Sequence, residues 1–488
     1  MSARAWRLAP LLDGIAAVSA ANDVEVRGLT QDSRTVAAGD AFVALRGARE
    51  GADYAADAVA RGAVAVLCER GSGLAAASSV SVPMIEVDDL RAQLGRIADR
   101  FFGSPSQRLA VIGVTGTTGK PTTTQLLAQV LDAPDARCGI IGTLGNGFPG
   151  NLRAGSHTTP DVISVHRLLA EFADAGARYV SMEVSSHALA QGRVDGVAFD
   201  VAVLTNLTRD HLDYHGDMAA YAAAKARLFE SPGLLAGVIN ADDAFGAELA
   251  LRLRPRLKII SYGRGIADVQ ATEITARATG LRLHVLAATG EFDLDTQLLG
   301  RFNAENLLAV IAVLQTIGHD APEFLARLSR ARAPAGRMEC YGGDLRPLVV
   351  IDYAHTPDAL EKVLHALREH TRNELWCVFG CGGNRDRGKR PLMGGIAERL
   401  ADRVVVTDDN PRREAPADIV ADIVAGMQGR PEIIRDRAAA IRHAVQSAQR
   451  DDVVLVAGKG HEDYQEIDGQ RLPFSDRETV RAALGLAA

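Results

Sequence analysis

Short apolar runs that break off in polar, glycine-rich segments recur along this chain, separated by stretches with apolar residues at helical spacing. The clearest case spans residues 109–131. Leu109, Val111, Ile112 and Val114 make a buried-strand pattern, a glycine turn follows, and Leu126, Leu127, Val130 and Leu131 share one face of a helix. Upstream, 41–45 and 63–67 read as strands with a helix over 54–61 between them. Downstream, strands are predicted at 179–184, 201–204, 237–239, 348–352, 375–379, 403–407 and 453–457, many ending in a polar, loop-like motif. Strand–helix alternation of this kind predicts mostly parallel sheets with helices on both faces, where ligands bind at the carboxyl ends of the strands.

Glycine and proline punctuate the chain at Gly103-Ser104-Pro105-Ser106 and again around 331–336. At 488 residues the chain is too long for one ordinary core, and a prior of about 150 residues per domain suggests three. The predicted domains are 1–106, 107–333 and 334–488. Apolar residues make up 47%, enough for substantial cores, and the formal charge is 54 − 61 = −7, which argues against a nucleic-acid-binding surface. No apolar run reaches the roughly 18–20 residues of a membrane helix, and no signal-peptide pattern opens the chain. The five cysteines form no CxxC pair, so neither a disulfide framework nor a cysteine-rich zinc site is indicated. A cytoplasmic, monomeric α/β protein with no nucleic-acid partner and no membrane insertion is the expectation.

Chemistry concentrates at the strand ends. In Gly116-Thr117-Thr118-Gly119-Lys120 small residues admit nucleotide phosphates to backbone N–H groups, a helix start adds partial positive charge, and the lysine reaches the outer phosphates. The strict pattern G-x-x-x-x-G-K-[ST] fails twice, because Val114 stands at its first glycine and Pro121 at its hydroxyl residue; Gly116-x-x-Gly119-Lys120 is intact. Glu183-Val184-Ser185-Ser186-His187 and Asn206 to Gly216 offer carboxylates, hydroxyls and imidazoles. His211 and His215 have zinc-pair spacing without an HExxH pattern, and an oxygen-rich magnesium site beside phosphates suits Glu183 better. Farther on, Gly380 to Arg390, Asp408 to Arg412 and Gly458 to Glu462 combine basic and acidic groups. Position 385 is arginine, so G-x-G-x-x-G is not matched. Arg385 and Arg412 can each fork a carboxylate, and Asp409 and Glu462 can hold an ammonium. Taken singly, each cluster also reads as helix caps, loop hydrogen bonds or a solvated charged surface, and Lys225 reads as an ordinary exposed helix lysine.

Together, TGTTGK, EVSSH, TNLTRDHLDYHG, GRFNAEN, DYAHTPD, DDNPR and GKGHEDYQ follow one another over nearly the whole chain, and in this combination it resembles the Mur ligase family. The resemblance implies a three-domain α/β ligase: a UDP-sugar-binding domain, a central P-loop-like ATPase domain and a Rossmann-like, amino-acid-binding C-terminal domain. It implies that ATP and Mg2+ drive amide-bond formation between UDP-N-acetylmuramoyl-L-alanyl-D-glutamate and an amino acid through an acyl phosphate, in peptidoglycan synthesis. Asp409-Asn410-Pro411-Arg412 resembles the version in members that take meso-diaminopimelate, which differs from lysine by one carboxylate.

By the same resemblance, Gln31, Ser33 and the loop after Gly47 contact the uridine, and Thr158, Thr159, Ser185, Gln191 and Arg193 the muramoyl peptide. Gly116, Thr117, Thr118, Gly119, Lys120, Pro121, Thr122, Asn303, Arg337 and His355 are implied at ATP. Glu183, His211 and a carbamylated Lys225 are implied around magnesium, with Lys120, Glu183, His211 and Lys225 carrying the chemistry. Arg385, Asp409, Asn410, Pro411, Arg412, Gly458 and Glu462 are implied at the amino acid. The chain departs from the family at Thr118, where asparagine is usual, at Pro121, where threonine or serine is usual, and at His157, often asparagine. Proline supplies neither an N–H for phosphate nor a hydroxyl for magnesium. A folylpolyglutamate-synthetase-like ligase and a non-catalytic nucleotide or UDP-muramoyl-peptide binder, the latter motivated by Pro121, are the other readings.

Overall fold

A computed structural model describes residues 5–45, 52–73, 80–155, 157–319 and 321–486. The loop after Gly47 lies outside them. The chain divides into two compact units, one built from residues up to 120 with 127–239 and 243–259, the other from 121–126, 240–242 and 260 onward.

The first unit opens with four parallel strands in chain order, β1 (Gly28–Thr30), β2 (Asp40–Ala44), β3 (Ala65–Glu69) and β4 (Met84–Val87). Side chains alternate across the pleat. Ala41, Val43, Ala65 and Leu67 therefore pack on α2 (Leu90–Phe102), while Phe42, Ala44, Val66 and Cys68 pack with Ala55 and Ala58 of α1 (Ala52–Ala60). These strands start one residue before and two residues after the predicted 41–45 and 63–67.

A larger sheet follows. Its elements are β5 (Ala110–Thr115), α3 (Lys120–Leu131), β6 (Arg137–Gly142), β7 (Gly145–Phe148), β8 (Asn151–Arg153), α4 (Val162–Asp174), β9 (Ala177–Glu183), α5 (Ser186–Ala190), β10 (Val201–Leu204), α6 (Leu212–His215), α7 (Met218–Ala226) and β11 (Ala236–Asn240). The strand order is β8-β7-β6-β9-β5-β10-β11. Neighbours are parallel from β6 to β11, and the β7–β8 hairpin is antiparallel. Register brings Glu183 opposite Val114 and Leu204 opposite Thr115, so the motif residues leave one carboxyl edge together.

In the second unit an antiparallel meander, β12 (Val269–Arg277), β13 (Gly280–Ala287) and β14 (Gly290–Thr296), precedes the buried helix α8 (Arg301–Thr316). The strand–helix pattern did not predict this meander. A second sheet follows, formed by β15 (Glu339–Gly342), β16 (Leu348–Asp352), β17 (Leu375–Phe379), β18 (Arg403–Val406), β19 (Glu432–Ile433) and β20 (Val453–Ala457), in the order β15-β16-β20-β17-β18-β19, with only β15 antiparallel. Helices α9 (Pro357–Arg368), α10 (Lys389–Leu400) and α11 (Pro416–Val424) pack one face, and α12 (Arg437–Ser447) the other with Val480 and Leu484. This is the expected doubly wound, Rossmann-like arrangement. A fully buried pair, Arg437 to Asp476 at 2.7 and 2.8 Å, fastens α12 to the C-terminal helix Asp476–Ala483, and Arg437 also donates to the Ala457 carbonyl at 3.0 Å. Among the described residues no helix is long and apolar enough to cross a membrane.

Candidate active site

Strand β5, between β9 and β10 in the first unit's larger sheet, ends in the glycine loop. Gly116 has φ +147°, and a Cβ there would lie 1.8 Å from Thr205 Oγ1, so only glycine fits. Asn206 stitches the loop. Its carbonyl accepts the Thr117 N–H at 2.9 Å and its Oδ1 accepts the Thr118 N–H at 3.0 Å. Thr118 also donates its hydroxyl to Asn206 Oδ1 at 3.2 Å. Two of the loop N–H groups expected at phosphates are thus engaged by the protein. Pro121 occupies the first turn of α3, where backbone N–H groups have no intrahelical acceptor, so the helix forms despite it. Thr122 is buried.

Two amines converge on one carbonyl: Lys120 Nζ and Lys225 Nζ each donate to Gly116 O at 2.7 Å, and Lys120 reaches Thr117 O at 2.9 Å as well. Lys225, on α7, is 1% exposed and lies 4.5 Å from the centre of the Tyr221 ring. Read from its own sequence position it was an ordinary exposed helix lysine; the structure corrects this. Burial first, and the neighbouring Lys120 charge second, push its pKa down to about 6. The amine is therefore neutral at neutral pH and nucleophilic.

Glu183, at the end of β9, is 2% exposed and accepts the Thr143 N–H at 2.8 Å and the Thr143 hydroxyl at 3.0 Å. His211 sits in a left-handed conformation, φ +52°, ahead of α6. Its ring lies 4.8 Å from His187, which is 4.2 Å from Tyr214 and 5.4 Å from His215. Burial and then the His211 and His215 charges lower the His187 pKa. Among the described residues no group of three or more histidines, cysteines, aspartates or glutamates is arranged to hold a metal. One carboxylate with substrate phosphates and water does fit magnesium's habit. Lys225, as an amine, donates rather than ligates; a carbamate there would add the missing anionic oxygens.

A cavity of about 730 Å³ in the same unit is lined by Gln31, Ser33, Arg34, Tyr54, Arg91, His157, Gln191 and Arg193 among others, uniting four residues expected at the UDP substrate. Arg193 donates to Thr159 O at 3.0 Å and to Gln191 Oε1 at 2.8 Å. Thr159 donates to the Glu183 carbonyl at 2.8 Å and accepts the Ser185 N–H at 3.1 Å. Thr158 Oγ1 lies 3.0 Å from Thr143 Oγ1 and, with the Thr143 proton on Glu183, is the donor of that pair. Gln191 donates to Tyr214 OH at 3.1 Å, and Tyr221 OH lies 3.1 Å from Thr117 Oγ1. A chain of contacts thus runs from the cavity through Tyr214, His187, His211 and Tyr221 to the glycine loop. The sequence motifs assign no individual role to Thr143, Asn206, Tyr214 or Tyr221, although Asn206 and Tyr214 fall within the Asn206 to Gly216 cluster.

In the second unit, Asn303 is buried in α8, its amide donating to Leu299 O at 2.8 Å and accepting from Asn306 at 2.9 Å. Arg337 lies 4.8 Å from the centre of the Tyr353 ring, and His355 Nδ1 is 2.8 Å from Tyr353 O, which fixes the proton on Nδ1. The expected amino-acid residues gather at the carboxyl ends of β17, β18 and β20. Gly458 has φ +118°, and a Cβ there would meet Asp409 Oδ2 at 2.5 Å. Asp409 is buried, which raises its pKa. Asn410 and the fully buried Lys459 both donate to Glu462 Oε2, at 2.9 and 3.0 Å, and Lys459 donates to Asn410 Oδ1 at 3.0 Å. Glu462 therefore already has a cation beside it, unlike the vacant ammonium acceptor expected. Arg385 is exposed, whereas Arg412 is held. The Pro411 carbonyl lies 1.9 Å from where a Gly383 Cβ would stand. The buried Arg390 binds Glu414 at 2.7 and 2.8 Å, holding that carboxyl down to about 2, and Glu414 accepts the Asn384 N–H at 2.9 Å. That clamp ties the loop bearing Arg385 to the turn bearing Arg412.

Three family models match in chain order: Mur ligase family, catalytic domain, over 25–102; Mur ligase middle domain over 114–314; and Mur ligase, glutamate ligase domain, over 336–460. A UDP-N-acetylmuramoyl-L-alanyl-D-glutamate–2,6-diaminopimelate ligase of Alkalilimnicola ehrlichii is 52% identical over 98% of this chain and 99% of its own. The ligase of the same name from Pseudomonas syringae pv. tomato is 53% identical over 95% and 96%. A solved structure with that name superposes with a TM-score of 0.75 at 38% identity, covering 99% of both chains. With three family models matched in order and relatives about half identical over nearly its whole length, the chain belongs to the Mur ligase family.

Proposed function

We propose that this protein is the ATP-dependent ligase that joins meso-2,6-diaminopimelate to the D-glutamyl γ-carboxylate of UDP-N-acetylmuramoyl-L-alanyl-D-glutamate, a step of peptidoglycan synthesis. One observation carries the reading from the geometry: the cavity of Gln31, Ser33, Gln191 and Arg193 connects, through an unbroken run of contacts, to the loop of Gly116 and Lys120. A ligase that activates one substrate with a nucleotide needs those two sites joined in this way.

The γ-carboxylate attacks the γ-phosphoryl group of ATP, giving an acyl phosphate and ADP; the diaminopimelate amine then attacks the acyl carbon and phosphate leaves. Lys120 turns from the Gly116 and Thr117 carbonyls to the phosphoryl oxygens, neutralising charge as it spreads over them. Arg193 orients the peptide from its perch on Thr159 and Gln191. The Lys225 amine adds to CO2, releasing one proton and leaving a carbamate. Glu183, His211 and that carbamate would hold magnesium, which would supply positive charge to offset that of the phosphates. Arg385, Arg412 and the Asp409-Asn410-Pro411 turn orient the amino acid.

Phosphate release measured with ATP, the UDP-dipeptide and diaminopimelate tests the reading. Release should require all three, and lysine should substitute poorly. ATP turnover that ignores both co-substrates rules the reading out, and binding without turnover would favour the non-catalytic reading that Pro121 motivates.

A further inference from the structure

Arg412 stands at φ +56°, a conformation that side chains other than glycine rarely adopt. Residues 466–468 hold it there with main-chain contacts: the Arg412 N–H donates to Glu466 O at 2.9 Å, and the Asp468 N–H donates to Arg412 O at 2.6 Å. The Glu466 N–H in turn donates to Asn410 Oδ1 at 2.9 Å. The backbone of Glu466 is thus fixed on both sides to the amino-acid turn, independently of its side chain.

That side chain has its own partner. Glu466 Oε2 lies 3.4 Å from Arg412 Nε, while Arg412 Nη1 donates to Gly383 O at 3.0 Å. Arg412 and Glu466 are 20% and 24% exposed, so the pair is only partly open to water. A guanidinium carries five N–H donors in a rigid fork. With the Nε edge against Glu466 and one Nη1 donor on Gly383, the Nη2 side remains to face a ligand carboxylate.

We propose that Glu466 is a positioning residue for amino-acid selection: its carboxylate fixes the plane of Arg412 so that the free end of the fork meets the distal carboxylate of the incoming amino acid. The inference rests on the reading that this turn binds diaminopimelate. Glu466 does not touch that substrate; it acts through Arg412. Glu466→Ala keeps every main-chain contact that shapes the turn, so the fold is not at stake. Glu466→Gln keeps an acceptor oxygen at the same reach.

The experiment is steady-state kinetics of the full chain, wild type and both variants, with meso-diaminopimelate and with lysine. Glu466→Ala should raise the KM for diaminopimelate about tenfold and cut the preference for it over lysine by a similar factor, the scale of losing one charge-assisted contact. The KM for ATP and for the UDP-dipeptide should stay within about twofold, and Glu466→Gln should recover most of the loss. An unmoved preference in Glu466→Ala, a parallel rise in all three KM values, or a Glu466→Gln as impaired as Glu466→Ala would each overturn the proposal. Diaminopimelate-dependent turnover by the wild type with that preference unmoved counts against Glu466 alone and leaves the proposed function standing.

Discussion

A buried lysine amine, that of Lys225, 2.7 Å from the Gly116 carbonyl it shares with Lys120 and pushed by burial to a pKa of about 6, is the residue on which the proposed chemistry turns. Wild-type protein equilibrated with 13CO2 should show a carbamate carbon resonance that Lys225→Ala lacks. Lys225→Ala should nearly abolish phosphate release, with bicarbonate unable to restore it; wild-type turnover in that variant would refute the role. The same shift sets a pH dependence of stability. The folded pKa, about 6, lies below the unfolded 10.5, so between those values the unfolded chain holds a proton that the folded chain does not. The penalty is complete below about pH 6 and is relieved as pH rises, with a slope of up to about 1.4 kcal/mol per unit. In CO2-free buffer, denaturant unfolding of Lys225→Met should lack that share of the slope between pH 7 and 9. At Pro121, Thr restores an N–H and a hydroxyl beside the loop, so Pro121→Thr should raise kcat/KM for ATP. An equal or lower value would mean that the rest of the loop already does that work. The lysine's burial was illegible in the sequence, because its helix reads YAAAKA and no charge pattern distinguishes an inward lysine from an outward one.

The elements that carry the site are strands ending in turns, and how well each was legible followed from its patterning. Strands β16, β17 and β20, apolar on both faces, lie where the uninterrupted runs put them, at Leu348–Asp352, Leu375–Phe379 and Val453–Ala457. The meander of β12 to β14 lacks the continuous apolar runs of the parallel strands: buried Leu281, Leu283 and Val285 alternate with Arg282 and His284, which face Asp295 and Asp293, so a reading keyed to uninterrupted runs passes over it. The amino-acid turn is the element on which specificity should depend. Arg412→Ala removes the fork and leaves Glu466 without its cation. The kcat/KM for diaminopimelate should fall by roughly 2 kcal/mol or more, near the low end for a charged pair because a fifth of the side chain is exposed. Lysine, which has no distal carboxylate, should lose little. An equal fall for both would make Arg412 a general support of the turn.

At the scale of the whole molecule, the order of motifs made the family legible, because ligand-binding residues fall at the carboxyl ends of parallel strands wherever the chain places them. Contacts that join distant segments were not legible. The Arg437–Asp476 pair bridges 39 positions and is buried on both sides. Asp476→Ala strands a buried guanidinium and should cost about 3–5 kcal/mol in urea unfolding; a loss below about 1 kcal/mol would show that water reaches the site. In the proposed reaction one chain activates a carboxylate with ATP and passes it to an amine. Mass spectrometry of a reaction in which both γ-carboxylate oxygens of the UDP-dipeptide are 18O tests it most directly. One label should appear in the released phosphate and one should remain in the new amide of the UDP-tripeptide. Unlabelled phosphate, or phosphate released without a tripeptide product, would contradict it.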